Sequence, residues 1–169
     1  GCGVILGREL YRGASGNAGE FGHIIIDRTG PQCHCGNHGC WETLASETYI
    51  VKRTAEELAR EEKLTIADIY SQAKQGDQNI ISILKETGEN LGVGVSNIIN
   101  SLSPELVVVG GRITEIKEYL QEEMMQAVKE EALAVSYKEV TIQFSELEDS
   151  ATAYGLANLV FTKKLVLSK

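Results

Sequence analysis

Three cysteines and one histidine lie close together near the start of the chain, in a pattern that can bind a metal ion. Cys33 and Cys35 are separated by one residue, Cys40 follows shortly after, and His23 precedes all three. A Cys-x-Cys pair cannot form a low-strain disulfide, because that bond needs a particular separation of the Cβ atoms. The glycines within the loop let the backbone adopt positive φ and bring Cys40 back toward the other two thiols. Three thiolates and one imidazole form the closed tetrahedral set of a structural zinc site, so the sequence predicts bound zinc.

Other pairings of these residues remain open at this point. Cys35 and Cys40 could form a disulfide, although nothing in the sequence indicates the oxidising compartment in which such bonds persist. His34 or His38 could replace His23 as the nitrogen ligand. His23 is favoured because both alternatives lie inside the cysteine loop, whereas tetrahedral sites usually recruit a ligand from outside it.

The residues around this cluster resemble the signature of the ROK family, named for repressors, open reading frames and kinases. The signature here reads Glu20-x-Gly-His23, then Cys33-x-Cys35-Gly36-x-x-Gly39-Cys40-x-Glu42, and a similar approach segment covers residues 10–19. Members of this family bind sugars. The resemblance implies that Glu20 and Glu42 accept hydrogen bonds from sugar hydroxyls, while His23 binds zinc through one ring nitrogen and faces the sugar with the other. As alternatives, both glutamates are ordinary surface carboxylates, and Glu42 begins a helix whose dipole favours an acid there.

Hydrophobic periodicity predicts an α/β domain of layered helices and strands. The predicted elements are a hairpin over 4–12, a buried strand over 23–26, helices over 46–62, 64–75 and 77–102, a buried strand over 106–109, a helix over 114–133, a strand over 140–144 and a helix over 148–163. Trp41 is expected to pack over the metal site, with a place in the core as the alternative, and Cys2 is expected to be a small buried residue without a chemical role. Thr65, before Asp68, and Asp77 are expected to cap their helices, and Gly88 and Gly92 share a helix face that lets another element approach closely. By resemblance, residues 1–169 are one domain, the C-terminal half of the actin-like ATPase, ribonuclease H-like fold, with its zinc loop over 23–42.

Composition limits the classes of function that this chain can have. Hydrophobic residues make up 43% and charged residues 24%, which is ordinary for a globular protein. The net charge of −8 argues against direct binding of nucleic acid, because phosphate contacts need clustered Lys and Arg. No apolar run is long enough to span a membrane and no signal peptide is visible, so we expect a cytoplasmic protein.

The resemblance also implies a longer parent protein. Family kinases use an aspartate as general base, and family repressors carry a DNA-binding helix-turn-helix; in both cases the feature lies upstream of the matching segment. Because the general base is not in this chain, we expect negligible phosphoryl transfer by this chain alone. Gly110-Gly111-Arg112 places a bulky side chain where family kinases tend to have a third glycine beneath adenosine. The favoured hypothesis is therefore that this chain is the sugar-sensing, homodimerising domain of a repressor of sugar-utilisation genes, similar to the xylose-type repressors. In this hypothesis the domain binds a monosaccharide, and the repressor contacts DNA only through an N-terminal domain that is absent here. The alternatives are half of an ATP-dependent sugar kinase, and a zinc-stapled dimerisation module that needs no sugar.

Overall fold

The structure is a computed structural model that describes residues 1–59, 64–147 and 150–166, with side chains up to residue 161. Two short strands come first, β1 (Ile5–Leu6) and β2 (Glu9–Leu10), followed by the helices α1 (Glu42–Ala45), α2 (Glu47–Glu57), α3 (Ile66–Lys74) and α4 (Gln78–Leu102). Strand β3 (Leu106–Val109), helices α5 (Lys117–Glu131) and α6 (Ala134–Glu139), strand β4 (Thr141–Phe144) and helix α7 (Ala151–Val166) complete the order, with short 3₁₀ helices at Phe21–His23 and Arg112–Ile116. Two parts of the predicted helices, residues 60–62 and 148–149, lie outside the described residues.

The first predicted hairpin is confirmed. Strands β1 and β2 pair antiparallel, with Ile5 opposite Leu10 and Leu6 opposite Glu9. Gly7 and Arg8 form the turn, with φ of 57° and 69°. Two successive residues with positive φ match the twist of a tight antiparallel hairpin.

Helix α4 is the central element, and α5 packs along it. The predicted cap is confirmed, because the Asp77 carboxylate accepts hydrogen bonds from the backbone N–H groups of Asn79 at 3.0 Å and Ile80 at 3.2 Å. Gly88 lets α5 approach closely: a Cβ there would lie 2.5 Å from the Leu120 carbonyl oxygen, well inside van der Waals contact. The close approach of two helices through glycines was predicted from their shared face.

The sheet that α4 and α5 cover has two strands. β3 and β4 pair in parallel, from Leu106 opposite Thr141 to Val109 opposite Phe144. One face of the sheet packs against the two helices through Val107, Val109, Ile142 and Phe144. The prediction of a fully buried β3 was wrong, because Leu106 and Val108 on the other face are 49% and 51% exposed. In the described chain this sheet has one covered face.

The predicted buried strand over 23–26 was also wrong. Residues Phe21–His23 form a 3₁₀ helix, and Ile25 is 45% exposed and makes only an isolated bridge to Cys40. The physical reason is local. The Ile26 N–H donates to the Gly39 carbonyl at 2.9 Å, and the Trp41 N–H donates to the Ile24 carbonyl at 2.8 Å. The apolar run therefore closes the cysteine loop instead of joining a sheet.

The helix predicted over 114–133 corresponds to α5 (Lys117–Glu131), with a 3₁₀ turn over its first predicted residues and α6 beginning beyond its predicted end. Asn100 on α4 contacts the end of α5, since its side chain donates to the Glu131 carbonyl at 3.2 Å and accepts from the Leu133 N–H at 2.8 Å. These two bonds satisfy backbone groups that the end of α5 leaves free.

Helix α7 is apolar over most of its circumference, yet its residues from Thr152 to Phe161 are not covered. Every residue from Thr152 to Phe161 is exposed, including Leu156 at 60% and Phe161 at 64%. A helix that is apolar on all faces is normally buried. Within the described residues, none of the helices is both long enough and apolar enough to cross a bilayer.

Candidate functional site

The loop that carries the cysteines is closed by tight backbone hydrogen bonds. Gly39 has φ of +64°, and a Cβ at that position would overlap the carbonyl oxygen of Asp27. The Gly39 N–H donates to the Pro31 carbonyl at 2.8 Å, and the Cys33 N–H donates to the Asn37 carbonyl at 2.7 Å. The loop therefore doubles back and returns the third cysteine to the first two, as the glycine spacing predicts.

One nitrogen and three sulfur atoms converge inside this loop. The ligand atoms of His23, Cys33, Cys35 and Cys40 all lie within 4.8 Å of one another. The Cys35 and Cys40 sulfurs are 3.6 Å apart, and the Cys33 sulfur lies 3.6 Å from Nδ1 of His23. A tetrahedral zinc ion with bonds of about 2.3 Å would hold its sulfurs about 3.8 Å apart. The donor set and its spacing therefore fit zinc. The three cysteines of the cluster, and Cys2 outside it, are free thiols.

The same geometry bears on the alternatives left open by the sequence. A disulfide needs its sulfurs about 2.05 Å apart, well below the observed Cys35–Cys40 distance of 3.6 Å. The four-residue cluster takes His23 as its nitrogen donor. His34 lies in a second group, with His23 and Glu42, and its Nδ1 is 3.9 Å from the Cys33 sulfur. The geometry thus favours the ligand set that the sequence predicts.

The three thiols differ in acidity before any metal binds. The Cys35 N–H lowers the pKa of the Cys33 thiol, but burial and the Glu42 carboxylate outweigh it and raise that pKa to about 12. Burial raises the pKa of the Cys40 thiol, whereas a hydrogen bond from the Asn37 N–H lowers the pKa of the Cys35 thiol. At neutral pH, Cys33 and Cys40 therefore carry protons that a metal ion would displace.

We expect zinc binding at pH 7.5 to release at least about two protons per ion, those of Cys33 and Cys40, because zinc binds thiolates. The apparent zinc affinity should consequently fall as the pH is lowered. Titration calorimetry in two buffers of different ionisation enthalpy measures the number released. Identical heats in both buffers would contradict this expectation, since they would mean that no proton leaves.

Two carboxylates lie beside the cluster, one on each side of the His23 ring. Nε2 of His23 is 3.7 Å from Oε2 of Glu20, while Nδ1 points to Cys33. Glu42 lies on the Nδ1 side, with Oε1 at 3.8 Å. The structure brings Glu20, His23 and Glu42, the residues predicted to bind sugar, close together. His23 lies between the three cysteine thiols and Glu20. A carboxylate pair around an imidazole provides acceptors for the hydroxyl groups of a polyol.

Local structure explains how these side chains are held. His23 ends the 3₁₀ turn, in which its own N–H donates to the Glu20 carbonyl at 3.1 Å. Glu42 begins α1 directly after Trp41, whose indole N–H donates to the Asn90 carbonyl on α4 at 2.9 Å. Trp41 takes the core position that was its alternative: Gly94 on α4 leaves room for its ring, so the indole anchors the end of the loop to the core.

Two contacts near the site were not foreseen from the sequence. Nδ1 of His34 lies 3.0 Å from Oε1 of Glu42, although His34 was considered only as an alternative metal ligand. Arg112, which follows the Gly110–Gly111 turn, forms an ion pair with Glu47 on α2 at 2.6 Å and 3.4 Å. No sequence spacing links residues 47 and 112, so only the fold reveals this pair.

Comparisons with known proteins find relatives in sequence and in structure. The "Xylose repressor" of Bacillus subtilis (strain 168) is 36% identical over 160 residues, which are 95% of this chain and 41% of that protein. A solved ROK family transcriptional regulator, a homologue of the E. coli MLC protein, is 35% identical with a TM-score of 0.74 over 84% of this chain and 38% of the other. A ROK family glucokinase from Streptomyces griseus, in complex with glucose and AMPPNP, is 25% identical with a TM-score of 0.79 over 93% and 55%.

The predicted α/β, actin-like architecture is confirmed at the level of the fold, because these solved ROK repressors and sugar kinases share it. The chain spans less than half the length of the curated relatives that it matches. The family model named "ROK family" matches residues 1–163, nearly the whole sequence. The chain belongs to the ROK family.

Proposed function

We propose that this chain is the effector-binding and dimerisation part of a ROK-type transcriptional repressor of sugar-utilisation genes. The observation that carries the proposal is the juxtaposition of Glu20, His23 and Glu42 beside a cluster of three thiols. Such an arrangement offers fixed hydrogen-bond acceptors next to a rigid loop, which suits a monosaccharide. The relatives named as xylose and N-acetylglucosamine repressors support regulation of sugar use over catalysis.

The proposal includes a structural zinc ion held by His23, Cys33, Cys35 and Cys40. Bound there, zinc would fix the orientation of the His23 ring and tie both ends of the loop together. Thiols that serve a metal ion suit a reducing compartment, which supports a cytoplasmic location.

Sugar binding is tested by removing charge from the two proposed acceptors. Glu20→Gln and Glu42→Gln are each expected to weaken binding of D-xylose, D-glucose or N-acetylglucosamine about tenfold or more, because a carboxylate accepts stronger hydrogen bonds than an amide. Calorimetry or ligand-observed NMR on the zinc-loaded protein measures the affinity. Glu89→Gln, an exposed carboxylate on α4, is the matched control and should bind as the wild type does.

The DNA-binding part of the repressor is proposed to lie outside these 169 residues. The net charge of −8 disfavours contact between this chain and the phosphates of DNA. The uncovered apolar face of α7 supports the presence of further protein in the complete molecule, because burial of such a helix is strongly favoured.

We expect the isolated chain to self-associate as its concentration rises, through α7 and the uncovered face of β3. Replacing Leu156 and Val160, which are 60% and 54% exposed, by lysine should reduce this association by removing apolar area and adding charge. Light scattering at increasing concentration measures it. A clean monomer of the unmodified chain at high concentration would contradict the expectation.

Regulation then requires that sugar binds one conformation of the repressor more tightly than the other. The test is a gel-shift titration of the full-length protein on its operator, with and without each candidate sugar. The proposal expects the operator affinity to change at least severalfold with one of them. Unchanged affinity across xylose, glucose and N-acetylglucosamine would count against it.

A sugar kinase is the second candidate, favoured by the fold shared with the glucokinase. Arg112 argues against it, because a long side chain, held by its ion pair with Glu47, stands after Gly110–Gly111 where family kinases tend to have a third glycine beneath the nucleotide. A coupled ATP-hydrolysis assay on the full-length protein with hexoses and magnesium separates the two. Sugar-dependent turnover would establish the kinase.

The third candidate is a dimerisation module whose fold is stabilised by zinc, and it leads to different expectations. Its dimer would form without sugar, and zinc would affect stability alone. Sugar affinity that disappears in Glu20→Gln while the dimer persists would exclude it.

A further inference from the structure

His34 makes a contact that the metal cluster does not require. Its side chain is 76% exposed, yet Nδ1 lies 3.0 Å from Oε1 of Glu42. The ring also meets His23 edge-on, with centroids 5.1 Å apart and planes at 74°. An exposed loop side chain would be free to point to solvent, but this one contacts two of the three residues proposed to bind the sugar.

The two oxygens of Glu42 face different surroundings. Oε1 lies near His34 and also accepts from the Cys33 thiol at 3.1 Å. Oε2 faces Gly22, where the missing side chain leaves the approach open; a Cβ there would stand 3.7 Å away. A carboxylate held through one oxygen cannot rotate freely, so its second oxygen keeps a fixed direction.

Metal binding would change which group holds Oε1. A Cys33 sulfur that binds zinc is a thiolate and has no proton to donate. Nδ1 of His23, 3.8 Å from Oε1, would be taken up by the metal as well, so the imidazole of His34 then remains as the donor at Oε1. Its N–H, within hydrogen-bonding distance, would also offset the repulsion between the carboxylate and the negative sulfur.

We propose that His34 is a positioning residue: its Nδ1–H holds Oε1 of Glu42 so that Oε2 is presented to a hydroxyl of the sugar. The inference rests on the proposed function, in which Glu42 accepts from the sugar. It assigns His34 to sugar affinity and not to metal binding.

The test compares three variants of the zinc-loaded protein. His34→Ala is expected to weaken binding of the tightest of D-xylose, D-glucose and N-acetylglucosamine about tenfold, with zinc content unchanged. His34→Asn should recover most of the affinity, because the amide nitrogen of asparagine can stand near the place of Nδ1. His38→Ala, a second exposed histidine in the same loop, is the matched control and should bind as the wild type does.

Wild-type sugar affinity in His34→Ala would overturn the inference, and so would loss of zinc from that variant, which would make His34 a ligand. A second measurement does not depend on sugar. Long-range proton–nitrogen NMR of the zinc-loaded protein should show a proton on Nδ1 of His34, and an Nε2-only tautomer would overturn the inference. If the wild type binds none of the sugars, the proposed function fails, whereas the NMR result still decides the contact with Glu42.

Discussion

Replacing Cys40 by serine is expected to abolish stoichiometric zinc binding and to lower the thermal stability of the protein sharply. Cys40 is fully buried, its sulfur lies 3.6 Å from that of Cys35, and its backbone bridges Ile25. A structural zinc ion contributes about 10–16 kcal/mol of binding free energy in small zinc domains. Serine is a poor zinc ligand, so we expect at least about a hundredfold loss of zinc affinity.

The control is Cys2→Ser, because Cys2 is only partly buried and lies outside the cluster. It should keep one zinc per chain and nearly wild-type stability. Competition with a chromophoric chelator gives the zinc affinity, and thermal unfolding followed by circular dichroism gives the stability. Should Cys40→Ser retain zinc at wild-type affinity, the assignment of this ligand would be wrong.

The second large effect is expected from Gly94→Ala. A Cβ at this position on α4 would overlap the indole ring of Trp41, which cannot shift without losing its hydrogen bond to the Asn90 carbonyl at 2.9 Å. Overpacking and the lost bond together are expected to destabilise the protein by about 2–4 kcal/mol. Trp41 directly precedes Glu42, so sugar binding should weaken as well.

Urea unfolding measures this loss, and the fluorescence of the single tryptophan reports the displaced ring. Gly155→Ala on α7 is the matched control, because nothing lies within 4 Å of the added methyl group. Alanine favours helix over glycine by about 1 kcal/mol, so the control should not be destabilised. Equal stability and unchanged fluorescence in Gly94→Ala would contradict the packing described for Trp41.

The parts of the site that sequence predicts well are those in which chemistry dictates spacing. Zinc ligands of the right type, separated by glycines, leave few ways to fold the loop, and the structure brings His23, Cys33, Cys35 and Cys40 together. The helix caps were equally predictable: Asp77 and the Thr65–Asp68 capping box both form, because a side-chain acceptor near free N–H groups acts locally.

The errors have a common physical origin in tertiary context. Ile24 to Ile26 have the composition of a strand, but the cysteine loop takes up their backbone hydrogen bonds. Leu106 and Val108 have the composition of a strand buried on both faces, but the described chain covers one face. The contact between His34 and Glu42 depends on how the loop folds back onto α1, which no local pattern encodes.

X-ray absorption combined with elemental analysis of purified, tag-free protein tests the central claim most directly. The proposed site predicts one zinc ion per chain, with three sulfur neighbours at about 2.3 Å and one nitrogen neighbour at about 2.0 Å. Protein that contains no zinc and whose thiols are paired as disulfides would contradict it.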